Sequence, residues 1–429
     1  MMQKKVAFKT LGCRLNQYET DALATQFTEG NYKIVDFNDE ADVYIINTCT
    51  VTNQSDHKSR NIISQAGRKG EKPLVVVTGC MANAQREALE NRSDISYVVQ
   101  NEQKSSVFSL IEAHYRGEII QPGEFANDKF NFSIADKGFH TRSHIKIQDG
   151  CDNFCTFCII PRVRGRAISR PVDDVLENVR KVVDAGAKEL VITGVNIGRY
   201  DFEGTNFESL LEQILNMPGD FRVRISSIEP DGFGERFFEL VNHPRLCPHL
   251  HLCLQSGSDK VLLQMRRMYD ISIFRNIVNS IRKNRPDFNF TTDVIVGFPG
   301  ETEAEFQQTI DFIREMKFSH VHTFKYSVRQ GTRAARMPGQ IPEKIKTSRS
   351  ERVRDLVEEM KQSYRELFIG TQQRVLIEKI RKSDGYAQGY SEHFVPVRIK
   401  MNGKTLEKNM FVDAVPEKLI IEKEPVLIG

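Results

Sequence analysis

Three cysteines stand close together in the segment GCDNFCTFCIIPRVRGR, at Cys151, Cys155 and Cys158. The chain has only eight cysteines in 429 residues, so chance is a poor explanation for this crowding. Thiols at this spacing favour a metal site over three small buried side chains. Zinc is one candidate, but a structural zinc site takes four ligands and this loop offers three, with no histidine close by. A cluster of four irons is the other, because three thiolates leave one iron open to bind a substrate or cofactor.

Three further cysteines, Cys13, Cys49 and Cys80, are far apart in the sequence, yet each follows a β-rich run. The runs are KVAFKTLGC, ADVYIINTC and PLVVVTGC. Because the carboxyl ends of parallel strands share one edge of a sheet, the three thiols are expected to converge there. This arrangement predicts a second iron-sulfur cluster. We interpret the remaining two, Cys247 and Cys253, as structural.

The elements that must position these cysteines follow from the hydrophobic pattern. Short β-rich runs alternate with polar helical stretches up to residue 115, including helices from about Asn16 to Glu29 and from about Asn53, which predicts a doubly wound parallel sheet. Six longer βα units begin at His144 and predict a partial (β/α)6 barrel, with the three-cysteine loop after its first strand. Active sites of parallel barrels lie at such carboxyl ends.

A long charged helix between about Pro342 and Phe368 precedes short strand-like runs that predict a small antiparallel β-barrel. The predicted fold is therefore α/β, with a small antiparallel β-barrel at the C-terminal end. The predicted domains are an N-terminal domain at 1–118, a linker at 119–139, a barrel domain at 140–368 and a C-terminal domain at 369–429.

Composition limits the function classes. The net charge of +3 makes no case for nucleic acid over the whole surface, so any such contact must be local. The sequence has neither a leader-like apolar segment at its start nor an apolar run of eighteen residues, so we expect a cytoplasmic protein without a membrane partner. Thiols stay reduced in the cytoplasm, which again favours metal ligands over disulfides.

The spacing of Cys151, Cys155 and Cys158 resembles the signature of the radical S-adenosylmethionine (SAM) superfamily. The resemblance implies that the amino and carboxylate groups of SAM bind the open iron of a 4Fe-4S cluster. One electron would then split SAM into methionine and a 5'-deoxyadenosyl radical. Glycines and polar residues at other strand ends suit a SAM pocket, although each also suits an ordinary βα turn. The candidates are Gly194, Asn196, Ser226, Glu229, Gln255 and Val296.

The segments TLGCRLNQYETDAL, INTCTVT and VTGCMAN look like the N-terminal domain of the methylthiotransferases, a branch of that superfamily. The resemblance covers essentially the whole chain and likens the C-terminal piece to the RNA-binding TRAM domain. It implies a second 4Fe-4S cluster, held by Cys13, Cys49 and Cys80, whose free iron carries the sulfur to be transferred. One SAM would methylate that sulfur and a second would generate the radical.

The motifs GCRLNQYET and RISSIEP resemble the branch that methylthiolates carbon 2 of N6-threonylcarbamoyladenosine, next to the anticodon of tRNA. The implied partner is the anticodon stem-loop, while the sulfur donor and the electron donor are not indicated. Alternative substrates are isopentenyladenosine in tRNA and an aspartate of a ribosomal protein. An alternative function is that of a non-catalytic iron-sulfur protein that binds RNA. Zinc in both cysteine sites is the alternative to iron-sulfur clusters.

The carboxylate of the threonylcarbamoyl group would need cationic contacts, for which Arg162, Arg164 and Arg166 are candidates. Surface or phosphate-binding roles are the alternative for these arginines. The C-terminal piece carries further basic residues that favour RNA binding only modestly. They are Arg374, Lys379, Arg381, Lys382, Arg398, Lys400, Lys404 and Lys408.

Overall fold

The computed structural model describes residues 3–70, 72–132, 141–381, 383–403, 405–422 and 425–429. Lys382, Lys404 and residues 133–139 of the predicted linker lie outside these ranges. The chain divides into two compact units. Unit 1 comprises Met1–Ala185, Thr193–Val195 and Ser327–Ala335, and unit 2 comprises Gly186–Ile192, Asn196–Tyr326 and Arg336–Gly429. No helix in the described part of the chain combines the length and apolar character needed to span a bilayer.

Unit 1 begins with a five-stranded parallel sheet in the order β2-β1-β3-β4-β5, as the alternating pattern predicts. Its strands are β1 Lys5–Thr10, β2 Lys33–Val35, β3 Val43–Thr48, β4 Leu74–Gly79 and β5 Tyr97–Val99. The connecting helices are α1 Arg14–Glu29, α2 Asn53–Ala66, α3 Cys80–Ala84, α4 Arg86–Glu90 and α5 Val107–Tyr115. Strand β3 is buried along its whole length, and successive side chains such as Ile45 and Ile46 enter separate apolar cores on the two faces of the sheet.

The second part of unit 1 carries the three-cysteine loop. Its elements are β6 Arg142–Lys146, β7 Gln148–Asp149, α6 Ile160–Val163, β8 Ile168–Ser169 and α7 Val172–Asp184. Strands β7 and β8 pair antiparallel, so the residues on either side of the loop lie side by side. The segment Ser327–Ala335 returns to this unit late in the chain. There the guanidinium of Arg329 donates to the Thr50 carbonyl at 2.7 Å and pairs with Asp56 at 2.8 Å.

Unit 2 contains the other five predicted barrel strands, apart from Thr193 at the end of the first of them, and each strand is followed by helical structure. The strands are β9 Glu189–Thr193, β12 Arg222–Ile225, β14 His249–Leu252, β15 Asn289–Val296 and β16 His320–Lys325. Shorter strands are β10 Asp201–Phe202, β11 Thr205–Asn206 and β13 Ser227–Ile228. The helices are α8 Phe207–Leu215, α9 Phe237–Leu240, α10 Asp259–Met265, α11 Ile271–Asn284 and α12 Glu303–Met316. The pairs β9/β12, β13/β14, β14/β15 and β15/β16 are all parallel, which confirms the predicted βα architecture.

The long charged helix is α13 Glu343–Glu366, and it packs against β16 and the C-terminal sheet. That sheet has the order β20-β17-β18-β19-β22-β21. Its strands are β17 Gln373–Arg381, β18 Tyr386–Tyr390, β19 Pro396–Lys400, β20 Phe411–Ala414, β21 Lys418–Ile421 and β22 Pro425–Ile428. Four of its pairs are antiparallel as predicted, but β22 runs parallel to β19, because the hairpin β21/β22 brings the chain end back alongside that strand.

Buried charges hold the C-terminal piece within unit 2. The Glu189 carboxylate accepts from both Arg222 at 2.6 Å and Arg224 at 2.7 Å. The same two guanidinium groups donate onward to the carbonyls of Arg374 and Glu392, at 2.7 and 3.1 Å. Because the cations and the carboxylate are all buried, each depends on these partners for its solvation.

Candidate metal centres

The thiols of Cys13, Cys49 and Cys80 converge at the carboxyl edge of the N-terminal sheet. Cys13 precedes α1, Cys49 follows β3, and Cys80 opens α3 directly after β4. Strands β1, β3 and β4 are neighbours in the sheet, so the three loops leave the same edge side by side. The structure therefore brings together the three cysteines whose convergence the sequence predicts.

Two glycines make this close approach feasible. Gly12, with φ +98°, lies so near Cys49 that a Cβ added to it would stand 2.8 Å from the Cβ of that cysteine. Gly79 has a φ of +95°, and a Cβ added to it would stand only 2.4 Å from the Thr48 carbonyl oxygen. Residues with a side chain rarely adopt this backbone conformation. The glycine immediately before Cys13 and Cys80 is thus a local signal that sequence reasoning overlooked.

Burial raises the pKa of two of these thiols. The pKa of Cys49 lies above its ordinary value, with burial as the main cause and the charge of Cys13 adding to it. Burial raises the pKa of Cys80 to about 11, although the Arg164 charge acts in the opposite direction. Both cysteines respond to the charge of Cys13, which is a further sign that the three sulfur atoms share one small volume.

The loop that carries Cys151, Cys155 and Cys158 is closed by its own backbone. The Cys151 amide donates to the Gly165 carbonyl at 3.2 Å, and the Cys158 amide donates to the Cys155 carbonyl at 3.0 Å. All eight cysteines lie in the described ranges, and none forms a disulfide. Cys80, from the trio of Cys13, Cys49 and Cys80, packs against Ile159, which directly follows Cys158 in the chain, and against Val163 at the end of α6. Both trios therefore lie in unit 1, joined by an apolar contact.

A buried ionic network connects the segments that bear the two trios. Its members are Glu19, Lys104, Lys146, Asp149 and Arg164, each at most 2% exposed in its side chain. Glu19 accepts from Lys104 at 2.5 Å, from Lys146 at 3.0 Å and from Arg164 at 3.0 Å. Asp149 pairs with Arg164 at 2.9 Å and with Lys146 at 2.7 Å. The network therefore ties α1, which follows Cys13, to residues on both sides of the three-cysteine loop.

The charges in this network determine how its carboxylates ionise. Burial alone would raise the pKa of Glu19, but Arg164, Lys104 and Lys146 together hold it well below the ordinary value. Burial opposes the ionisation of Asp149 as well, and Arg164 and Lys146 lower its pKa. Both carboxylates are thus charged at neutral pH and form genuine ion pairs.

The three arginines proposed to meet the substrate have different environments. Arg164 is fully buried and engaged by Glu19 and Asp149, so its assignment to a substrate contact is wrong. Arg166 is exposed and pairs with Asp152 at 2.7 Å. Arg162 is exposed and lines a cavity.

This cavity, of about 900 Å³, lies wholly within unit 1 and is called here the trio cavity. Its walls come from the loops beside both trios, including Thr50 next to Cys49 and Ile159 next to Cys158. The full lining comprises Thr50, Asn53, Asp56, Arg60, Asn83, Ala84, Gln85, Ile159, Arg162, Val163, Val328, Arg329 and Gln330. Its size is that of a site for a nucleoside-sized ligand. Local sequence patterns gave no sign that residues 328–330 contribute to it.

The predicted SAM contacts are distributed over both units. Gly194 belongs to unit 1, whereas the other five candidates belong to unit 2. Within unit 2, the Cys253 amide donates to the Ile228 carbonyl, so the segments that carry Glu229 and Gln255 are adjacent. Gly198, two residues after Asn196, packs against Gly232 in the turn that follows Glu229.

Individual side chains of these candidates are already constrained. Glu229 forms an ion pair with Arg267. Gln255 has a φ of +65° and its backbone pairs with β15. Ser226 is 3% exposed and Asn196 2% exposed, while the Val296 side chain is fully buried and its carbonyl accepts from the Tyr326 amide. Any contact that Val296 makes with a cofactor would therefore come from its backbone.

A second group of potential metal ligands lies on three adjacent strands of unit 2. Donor atoms of His251, Asp293 and His322 all come within 4.8 Å of one another. The His251 Nε2 is 3.2 Å from Asp293, and its Nδ1 is 3.0 Å from the Thr291 hydroxyl. These side chains alternate with fully buried residues such as Val294, so they stand within strand patterns that read as ordinary core. The available signal was a pair of histidines two residues apart on each of two predicted strands, His249 with His251 and His320 with His322.

A carboxyl group in the segment GFPGE predicts a pH dependence of stability. Burial raises the pKa of Glu301 from 4.5 to about 7, although the Gly297 amide and Arg349 lower it. Between pH 4.5 and about pH 7 the folded protein therefore binds more protons than the unfolded chain. The free energy of unfolding consequently falls as the pH rises through this range. Glu301→Gln cannot ionise and is expected to remove this slope, worth about 3 kcal/mol in all. Urea unfolding midpoints of both proteins from pH 4.5 to 8 measure it, and parallel profiles would contradict the assignment.

Comparison with known proteins agrees with this architecture. Residues 5–100 match the uncharacterized protein family UPF0004, and residues 145–313 match the radical SAM superfamily. Among solved structures, the radical SAM methyltransferase TsrM from Kitasatospora setae aligns with a TM-score of 0.57, covering 78% of this chain and 74% of that chain. At 15% sequence identity this likeness concerns the fold alone.

Curated relatives extend the similarity to almost the full length. The threonylcarbamoyladenosine tRNA methylthiotransferase MtaB of Thermotoga maritima is 38% identical, with 91% of this chain and 90% of the relative covered. Its namesake from Bacillus subtilis is 39% identical, with 92% and 90% covered. The tRNA-2-methylthio-N(6)-dimethylallyladenosine synthase of Chromobacterium violaceum is 35% identical, with 89% of each chain covered. The chain therefore belongs to the radical SAM methylthiotransferases, in the branch of the threonylcarbamoyladenosine tRNA methylthiotransferases.

Proposed function

We propose that this protein methylthiolates carbon 2 of N6-threonylcarbamoyladenosine in the anticodon stem-loop of tRNA. One SAM serves as methyl donor and another as radical source. The observation that carries the proposal is the presence of two cysteine trios in one compact unit, with the trio cavity against the loops of both. Relatives that are 36–39% identical and named for this activity support the choice of substrate. Such an enzyme works in the cytoplasm, where its tRNA resides.

The residues present fit two 4Fe-4S clusters. Cys151, Cys155 and Cys158 would hold one, and Cys13, Cys49 and Cys80 the other. Burial disfavours ionisation of Cys49 and Cys80, and metal ions stabilise thiolates by taking the place of the protons. Three thiols per site suit a cluster with one open iron better than a closed four-ligand zinc site. When bound, the two clusters supply an electron for the cleavage of SAM and an iron-held sulfur for transfer.

The chain's own residues would orient the cofactor and protect the site from water. For SAM, we assign contacts to Gly194, Asn196, Ser226, Glu229, Gln255 and Val296. The carboxyl ends of parallel strands, where these residues lie, are the usual ligand position in βα folds. The Glu229 carboxylate is paired with Arg267, so this side chain would meet SAM in a fixed orientation.

We divide the chain into an N-terminal domain at 1–118, a linker at 119–139, a barrel domain at 140–368 and a C-terminal domain at 369–429. RNA binding is assigned to the C-terminal domain. Several of its basic side chains are already paired with acids, including Arg398 with Glu422 at 2.5 Å and Arg374 with Asp220 at 2.8 Å. Arg374 also stacks on Phe411 at 4.1 Å. The contribution of the C-terminal domain to tRNA affinity is therefore expected to be modest and dependent on salt.

The function is tested by the nucleosides of the organism's own tRNA. In a strain that lacks this gene, mass spectrometry of digested tRNA is expected to find threonylcarbamoyladenosine without its methylthio derivative. The intact gene on a plasmid should restore the derivative. If the methylthio form of isopentenyladenosine disappears instead, the substrate assignment is wrong. If both methylthio nucleosides persist, the protein is not a tRNA methylthiotransferase.

A further inference from the structure

The trio cavity has an excess of positive charge. Its lining holds three arginines, Arg60, Arg162 and Arg329, against one carboxylate, Asp56. Arg329 and Asp56 are buried and pair with each other at 2.8 Å, which neutralises both. Arg60 and Arg162 are exposed to the cavity, and in the described part of the chain no carboxylate lies within ion-pair distance of either. The cavity is thus suited to an anionic group.

Arg162 is held in position by the backbone opposite it. Its guanidinium lies against Gly331, where an added Cβ would stand 1.5 Å from Nη1. The helix α6 carries Arg162 at its third residue, and the Arg162 amide donates to the Ile159 carbonyl at 2.9 Å. On the other wall, Arg60 donates to the Gln85 side chain at 3.2 Å. The Arg162 guanidinium therefore contacts the Gly331 backbone and the Arg60 guanidinium is hydrogen-bonded to Gln85, both within unit 1.

The cavity is also close to both reaction centres of the proposed chemistry. Thr50 and Ile159 are directly bonded in the chain to Cys49 and Cys158, and Cys80 packs on Ile159 and Val163. A nucleobase that reacts between the two trios would occupy this space. The N6 substituent of threonylcarbamoyladenosine ends in a carboxylate, whereas an isopentenyl substituent is apolar. A guanidinium fork matches a carboxylate with two parallel hydrogen bonds.

We propose that Arg162, assisted by Arg60, binds the carboxylate of the threonylcarbamoyl group in the trio cavity and so selects this substrate over apolar N6-modified adenosines. The proposal rests on the proposed function and names the specificity-determining residues of that site. The competing source of the same anion chemistry is a phosphate of the tRNA backbone. A phosphate contact would not depend on the modification of the base.

The test measures tRNA binding to the cluster-loaded protein, without SAM, by fluorescence anisotropy. Wild type, Arg162→Gln, Arg60→Gln and the double variant are each titrated with tRNA bearing threonylcarbamoyladenosine and with the same tRNA bearing unmodified adenosine. Arg162→Gln is expected to raise the Kd for the modified tRNA by about tenfold and to leave the Kd for the unmodified tRNA unchanged. Arg162→Lys, which keeps the charge but loses the fork, should fall between. Arg86→Gln, an exposed arginine paired with Glu90 outside the cavity, is the control.

Two outcomes would overturn the inference. Equal loss of affinity for both tRNAs would assign the contact to a phosphate, and unchanged affinity for the modified tRNA would remove Arg162 from recognition altogether. Product formation by the wild type separates this failure from that of the proposed function. If the wild type methylthiolates the modified tRNA while Arg162→Gln binds it as tightly as the wild type does, only the carboxylate assignment fails.

Discussion

Cys49→Ala is expected to stop methylthiolation of tRNA completely while reductive cleavage of SAM continues. Cys49 belongs to the trio at the edge of the N-terminal sheet, whereas SAM cleavage is assigned to the loop of Cys151, Cys155 and Cys158. Cys155→Ala should abolish both activities, since the radical would no longer form. Anaerobic assays of 5'-deoxyadenosine and of methylthiolated nucleoside, each by mass spectrometry, measure the two steps separately.

Iron analysis accompanies these assays. The wild type should hold about eight irons per chain and each cysteine variant about four, because one cluster is lost in each. Cys247→Ala removes a buried cysteine outside both trios and serves as the matched control, with iron content and both activities retained. Methylthiolated tRNA formed by the Cys49 variant would refute the assignment of a cluster to Cys13, Cys49 and Cys80. A colourless wild type containing zinc would refute both assignments.

Glu19→Gln is expected to lower the free energy of unfolding by about 3–5 kcal/mol, although glutamine has the same shape. The change removes the carboxylate that pairs with Lys104, and it leaves Lys146 and Arg164 to share Asp149. Uncompensated charge away from water is among the most costly substitutions. Thermal unfolding followed by circular dichroism, under anaerobic conditions, measures the loss.

The control for Glu19→Gln is Glu29→Gln, at the exposed end of the same helix, where a change within about 0.5 kcal/mol is expected. Because the network joins the segments of both trios, the Glu19 variant should also lose iron from both sites during purification. An unfolding midpoint equal to that of the Glu29 variant would show that the buried ion pairs add little to stability.

The sequence predicted the parts of the fold that depend on local pattern. Alternating strands and helices predicted the parallel sheet, and its topology in turn predicted that Cys13, Cys49 and Cys80 meet at one edge. All six barrel strands occur where the β-rich runs place them. The same rule of parallel strand ends applies to the loop of Cys151, which follows β6 and β7.

The parts that were missed depend on contacts between distant residues. Arg164 is a candidate substrate contact in the sequence because it is a cation just after the three-cysteine loop, yet its partner Glu19 lies 145 residues earlier in the chain. No periodicity in either segment indicates that pairing. The parallel alignment of β22 with β19 and the contribution of residues 328–330 to the trio cavity have the same origin. Each is set by tertiary packing rather than by the propensity of neighbouring residues.

The late return of Ser327–Ala335 to unit 1 has a consequence for synthesis on the ribosome. When residue 185 leaves the exit tunnel, Asp56 still lacks the guanidinium that neutralises it, since Arg329 has yet to be translated. Well over a hundred residues must follow before that ion pair can form, a long loop to close. The nascent half-chain therefore remains incomplete during this interval, because unit 1 closes only after most of unit 2 has been synthesised.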